Sequence, residues 1–242
     1  MTKGASRIIS TAMAAARKDQ LAVRFLLYVV GLFVLALGIS FTINSELGLP
    51  PINSLPFIVS VIAGVDIGIC VVGWLLLMTI AQCIIAREIK WIVVVQLLFS
   101  FMFGYFINFT IAMLGGFALP TYLGQLVMQG IGIILVALGI VLYMEAGLVV
   151  LPADGIVVAI TRKIPGSAFH RVKIAMDSSI VLVGMALSVV FLSGLYGIRE
   201  GTVVSAVMIG KAMPFARKMA TPIFRRIGLC KIQMQQVENL TL

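Results

Sequence analysis

The stretch Leu148-Val149-Val150-Leu151-Pro152-Ala153-Asp154-Gly155 closes a long apolar run that also holds Glu145. A carboxylate deep in a bilayer is costly, and proline removes a backbone donor that hydrocarbon cannot replace. Both are tolerated where the chain breaks and faces protein, water or a solute. Pro152, Asp154 and Gly155 therefore mark a discontinuity, and Asp154 is the leading candidate for chemistry. The same device occurs once earlier, at Leu47-Gly48-Leu49-Pro50-Pro51-Ile52-Asn53, just after Asn44, Ser45 and Glu46.

The two breaks belong to a longer match. Residues 31–53 align with 132–154 without a gap. Gly31 meets Gly132, Ala36-Leu37-Gly38-Ile39 meets Ala137-Leu138-Gly139-Ile140, Leu47 meets Leu148 and Pro51 meets Pro152. Asn44 falls on Glu145, and Asn53 on Asp154. Leucine and glycine coincidences are cheap in apolar sequence; matched prolines and matched polar positions are not. The expectation is a duplicated unit. The glycine pairs Gly31/Gly38 and Gly132/Gly139 repeat after seven residues, about two helical turns. Small residues on one face let helices approach closely, so these pairs predict contact between the first and fourth spans.

Hydrophobic residues make up 61% of the 242-residue chain and charged residues 11%, with mean hydropathy +1.15. Soluble domains carry about 25% charged residues, so lipid is the expected solvent and partner. The net charge of +9 is not a nucleic-acid signature, because the cations cluster beside apolar runs. Cys70, Cys83 and Cys230 have no metal-ligand spacing and imply no disulfide framework. Phosphate loops, nucleophile elbows and metal quartets are absent from the sequence, so no cofactor, metal or enzymatic activity is expected.

Apolar spans are expected over residues 24–43, 67–86, 91–114, 122–144, 172–195 and 202–215, the last interrupted by Lys211 and Pro214. The first is too long for a signal-peptide core and is read as a retained span. Residues 52–64 are too short for a crossing and read as a half-helix. A second half-helix is expected from Ile156. With the N-terminus inside, Lys3, Arg7, Arg17, Lys18, Arg24, Arg87, Lys90, Arg162, Lys163, Arg171, Lys173 and the five cations from Arg217 to Lys231 share the inner side, and Arg199 alone lies outside. Such asymmetry follows the positive-inside rule.

The expected fold is an all-α polytopic membrane protein with about six transmembrane helices, arranged as two inverted three-helix repeats, each with a broken or re-entrant segment. An odd number of crossings per copy inverts the second copy, and such proteins place their site near the midplane between repeats. Residues 1–23 form a basic amphipathic cytoplasmic leader, 24–115 the first repeat, 122–216 the second, and 217–242 a basic cytoplasmic tail.

These motifs resemble the YczE/YyaS/YitT-like family of bacterial inner-membrane proteins over residues 25–215. The family pattern N-x-G-x-x-P-W-D is matched around Gly48 and Pro51, with Ile52-Asn53 in place of its tryptophan-aspartate pair. G-x-x-x-x-P-R-D-G is matched by Gly147, Pro152, Asp154 and Gly155, with Ala153 in place of arginine. Arg171 and Asp177 look like a basic and an acidic position of the following helix. Gly201-Thr202 to Gly210 resembles G-T-x-x-x-A-x-x-x-G. The resemblance implies a multi-pass protein of the bacterial cytoplasmic membrane, with both termini cytoplasmic.

The candidate substrate or coupling residues are Asp154, Glu145, Asn53, Asn44, Glu46, Asp177 and Arg171, with Pro51, Pro152 and Gly155 as structural breaks. Each has a plainer reading beside the functional one. Asp154 is placed to cap the amides of Ile156 and Val157. Glu145 reads as snorkelling to the surface or pairing with Arg171 or Lys173, and Asp177 as pairing with Lys173 at i,i+4. Lys211 snorkels inward or pairs in the core. His170 at a helix start reads as solvated.

The leading function is a transporter or permease that moves a small solute by alternating access between the repeats, with a homo-oligomer as one compatible assembly. The alternative is a non-transporting accessory or regulatory protein that acts on a partner through its basic termini. An intramembrane enzyme using Glu145, Asp154 and His170 is the third reading, and nothing in their spacing brings them within reach of one another.

Overall fold

The computed structural model describes residues 3–86, 91–164 and 169–226, and side chains over 21–86, 91, 93–161, 163–164 and 171–221. The charged turn expected at 87–90, the Pro165-Gly166 turn, Cys230, the tail beyond Arg226 and the side chains of the leader and His170 lie outside the described residues.

Eight α-helices and no strands make up the described residues: α1 (Lys3–Asn44), α2 (Pro51–Ala63), α3 (Ile67–Ala86), α4 (Ile92–Leu114), α5 (Tyr122–Ala146), α6 (Pro152–Lys163), α7 (Phe169–Leu192) and α8 (Glu200–Arg226). The leader and first span form one unbroken helix. Five helical segments are long and apolar enough to cross a membrane: Leu21–Asn44, Ile67–Ala86, Val93–Leu114, Tyr122–Ala146 and Arg171–Leu192. Their outward faces carry large apolar side chains, such as Leu77, Ile80 and Ile84 on α3 and Leu182, Val190 and Phe191 on α7. Water would not tolerate so continuous an apolar surface, whereas lipid solvates it. The chain is a multi-pass membrane protein.

Two helices depart from the sequence expectation. α6 begins at Pro152 rather than Ile156, because proline's fixed φ suits the first helical position and its missing N–H costs nothing there. α8 does not meet the apolar criterion for a span, since Lys211 lies near its middle and Arg217, Lys218, Arg225 and Arg226 crowd its second half. It also runs straight through Lys211 and Pro214. Packing offsets the lost hydrogen bond of the proline: Ala216 and Ala220 bury against Ala137, Val141 and Leu142 of α5.

The centre of the bundle is the antiparallel pair α1 and α5. Tyr28, Leu32, Leu35, Ala36 and Ile39 recur at helical spacing and are buried. The repeated glycines set the separation, as their spacing predicts. A Cβ on Gly139 would lie 2.5 Å from the backbone nitrogen of Leu35, and one on Gly38 would lie 2.6 Å from that of Val136. Any side chain there would push the helices apart.

The outer helices pack in corresponding pairs. α1 lies on α4, and α5 on α8; α2 lies on α7, and α6 on α3; α2 also touches α3, and α6 touches α7. Two departures stand out. α3 packs along α4 while α7 has no comparable contact with α8, and α2 reaches α8 without an equally extensive contact between α6 and α4. α8 runs parallel to α5: Gln129 reaches Gly201 and Ser205 at one end, and Glu145 meets Arg217 at the other. The two breaks thus sit at opposite ends of α5.

Candidate functional site

At the second break, α5 ends at Ala146 and Gly147 takes a left-handed conformation, φ 63°. Five residues later Pro152 opens α6, with Leu151 as its N-cap. Asp154 is therefore the third residue of α6, inside its first turn, and not its cap. Its own backbone N–H donates to Leu151 O at 3.0 Å. This frees the carboxylate to face the neighbouring helices. Tyr143 Oη donates to Asp154 Oδ2 at 2.9 Å, and Lys173 Nζ of α7 lies 3.2 Å from Asp154 Oδ1. Lys173 also lies 3.5 Å from Asp177 Oδ1, the i,i+4 pair anticipated on α7. Two carboxylates share one ammonium group.

The wall opposite is amide and aromatic. Gln96 of α4 donates through Nε2 to Val150 O at 2.9 Å and lies 3.5 Å from Gln82 Oε1 of α3. Both neighbours of Nε2 are acceptors, which fixes the amide orientation and leaves Gln96 Oε1 without a partner. Gln82 packs against Gly155, where a Cβ would collide with its Oε1. Tyr28 sits edge-on to Tyr143, ring centroids 5.8 Å apart, and against Phe99 at 4.2 Å. Five buried side-chain polar atoms among the described residues lack a hydrogen-bond partner: Arg24 Nε, Tyr28 Oη, Trp74 Nε1, Gln96 Oε1 and Asp177 Oδ1. Three of the five belong to this cluster.

The first break is built differently. Ser45 Oγ donates to Gln129 Oε1 at 2.6 Å, and Gln129 Nε2 reaches Gly48 O, Gly201 O and Ser205 Oγ at 3.1, 3.2 and 2.8 Å. Leu49 N donates to Gly197 O, and Gly201 N to Leu47 O. Asn53 is buried as the third residue of α2, the position Asp154 holds in α6. Asn44 donates to Phe117 O at 3.1 Å. Glu46 is exposed, has φ 58°, and its carbonyl accepts from Arg199. Asn44, Glu46 and Asn53 do not converge on a common point.

Glu145 pairs with Arg217 of α8 at 2.8 Å, not with Arg171 or Lys173. The parallel course of α8 along α5 brings Arg217 there first. Arg171 and Lys211 are exposed, and Lys173 is the cation beside Asp154. The cluster lies near one end of α5, three residues before its last, and not at its midpoint. Among the described residues no three His, Cys, Asp or Glu side chains form a metal-binding group. Of the candidates, Asp154 and Asp177 meet. Tyr28, Gln82, Gln96, Gln129 and Tyr143 escaped the sequence reading as site residues. The available signal was amide side chains inside runs otherwise free of polarity, which cost free energy for the reason that singled out Asp154.

The sequence profile of a family of unknown function, DUF6198, matches residues 22–218. The chain belongs to this family. It is 29% identical over 209 residues to the "Uncharacterized membrane protein YczE" of Bacillus subtilis (strain 168), covering 82% of this chain and 87% of that protein. It is 28% identical over 132 residues to the "Uncharacterized protein YyaS" of the same organism, covering 54% of this chain and 65% of YyaS. The YczE-like resemblance read from the two break motifs is thereby established. No solved structure matches the chain.

Proposed function

We propose that the protein is a permease for a small solute, built as an inverted duplication and working by alternating access, with its site at the second break. One observation carries the reading: Asp154, Tyr143, Lys173 and Asp177 are drawn from three helices into one charged cluster within an apolar bundle. The three charged side chains are partly buried, 21–29% exposed, and intramembrane ionisable groups mark solute or ion paths. The paired packing of helices α1–α4 and α5–α8 supports the duplication. The parallel run of α8 along α5 supports six crossings, with the ends of α1 and α8 sharing the cytoplasmic side of a bacterial inner membrane.

The test is uptake into proteoliposomes of labelled amino acids, organic acids, sulfonates and polyamines, under a proton or a sodium gradient. Asp154→Asn should abolish flux of whichever solute the wild type moves while the protein remains folded. Absence of flux for every solute under both gradients overturns the permease reading, and flux that survives Asp154→Asn overturns the site.

A further inference from the structure

The geometry points to a small organic amine, bound as its ammonium ion, as the ligand of the second break; this rests on placing the site there and not on transport itself. The first argument is charge. Among the described residues Asp154 and Asp177 share Lys173 alone as an ion-pair partner, so the cluster has one carboxylate more than its ammonium groups. In a low-dielectric setting an unpaired charge favours entry of the opposite sign.

The second argument is hydrogen bonding. Tyr28 is 0% exposed and Gln96 3% exposed, yet Tyr28 Oη and Gln96 Oε1 have no partner. Asp177 Oδ1 also lacks a hydrogen bond, having only the 3.5 Å ionic contact to Lys173. Gln96 Oε1 and Asp177 Oδ1 only accept, and a tyrosine oxygen accepts as well as donates. Buried polar groups normally find partners, so these open valences indicate an occupant rich in N–H donors. An alkylammonium ion has three such donors and one positive charge.

The third argument is the aromatic lining. Tyr28, Phe99 and Tyr143 pack together beside the carboxylates, and aromatic faces attract cations. Lys173 then plays a definite part. It is the resident cation that holds Asp154 and Asp177, and an arriving amine competes with it for one carboxylate.

The experiment uses the full chain in lipid nanodiscs, with n-butylamine, putrescine and agmatine as probes and n-butanol and butyrate as controls. Thermal unfolding and calorimetry report binding. At least one amine should raise the unfolding temperature, and neither control should. Tyr28→Phe, which removes an unpartnered hydroxyl, should leave the unliganded unfolding temperature unchanged or higher while weakening amine binding about tenfold. Lys173→Gln should tighten amine binding, the reverse of what loss of a structural ion pair would do. If that variant fails to fold, Tyr28→Phe and Gln96→Leu carry the test through the same split between stability and affinity. No amine binding to folded wild type, binding of butyrate, or weaker binding in a folded Lys173→Gln each overturns the proposal. Amine binding without flux in liposomes retains the site and removes the permease reading. Flux of a different solute, with no amine binding, does the opposite.

Discussion

At the first break, the side chain of Gln129 ties Ser45, Gly48, Gly201 and Ser205 together, and two backbone bonds fasten the same loop to the start of α8. At the second, Asp154, Lys173 and Asp177 form a charged chain flanked by tyrosine and glutamine oxygens without partners. The backbone plan is shared: a proline at the first helical position, then a buried or half-buried polar side chain at the third. Only the chemistry differs. A hydrogen-bonded neutral amide fixes geometry at modest cost, whereas charge with open valences leaves work for a ligand. On the proposed reading one break is an anchor and the other a site.

The strongest way to break this comparison is to cut the anchor. Gln129→Leu leaves two carbonyls and two hydroxyls of the first break short of a buried partner. It should cost on the order of 2–4 kcal/mol, given about 1–3 kcal/mol for each buried group left unsatisfied and smaller values between helices in lipid. Thermal unfolding in micelles would measure it. A loss below about 0.5 kcal/mol would mean that the network is ornamental and that the first break is as unsettled as the second.

The sequence made the anchor's position readable but not its mechanism. Pro51 and Pro152 mark the starts of both short helices, and the spans at 67–86 and 122–144 fall almost where α3 and α5 lie, because apolar length and helix breakers are local signals. The glycine pairs also reported their contact, since a close helix approach demands them. Gln129 to Ser205 spans 76 residues, and no local pattern encodes which amide will meet which carbonyl. Lys173 lies 19 residues from Asp154 and reaches it only because α6 turns back beside α7. Asp154 reads as a cap because it follows Pro152 at a helix start, but the helix already begins at Pro152 and Leu151 holds the cap position. α8 passed its proline because packing on α5, invisible locally, outweighed propensity.

A more pointed comparison exchanges the chemistry between matched positions. Asn53→Asp places a carboxylate at the third residue of α2, as Asp154 stands in α6. The α2 N-terminus favours the negative charge by up to about 1 kcal/mol. Burial without a lysine such as Lys173 opposes it more strongly. The net cost should be about 1–2 kcal/mol by thermal unfolding. A neutral result would show that the first break accepts charge as readily as the second, and the distinction between anchor and site would fall.

The smallest effect tests where the site ends. Glu145 matches Asn44 in the repeat and lies on the same helix as Tyr143, so the sequence placed it among the coupling residues. Its pairing with Arg217 separates it from the Asp154 cluster: the arginine is 50% exposed and belongs to α8. An ion pair with one partner half in water contributes about 0–1 kcal/mol. Glu145→Gln keeps the shape and a hydrogen-bond acceptor, and should shift unfolding by less than about 1 kcal/mol. It should leave solute flux at the wild-type level, in contrast with Asp154→Asn. Flux lost to the same degree in both variants would mean that the charged path continues from α6 and α7 across α5 to α8. The second break would then be one stop on a longer route, and the charge invoked in the proposed amine binding would have to be counted with Glu145 and Arg217 included.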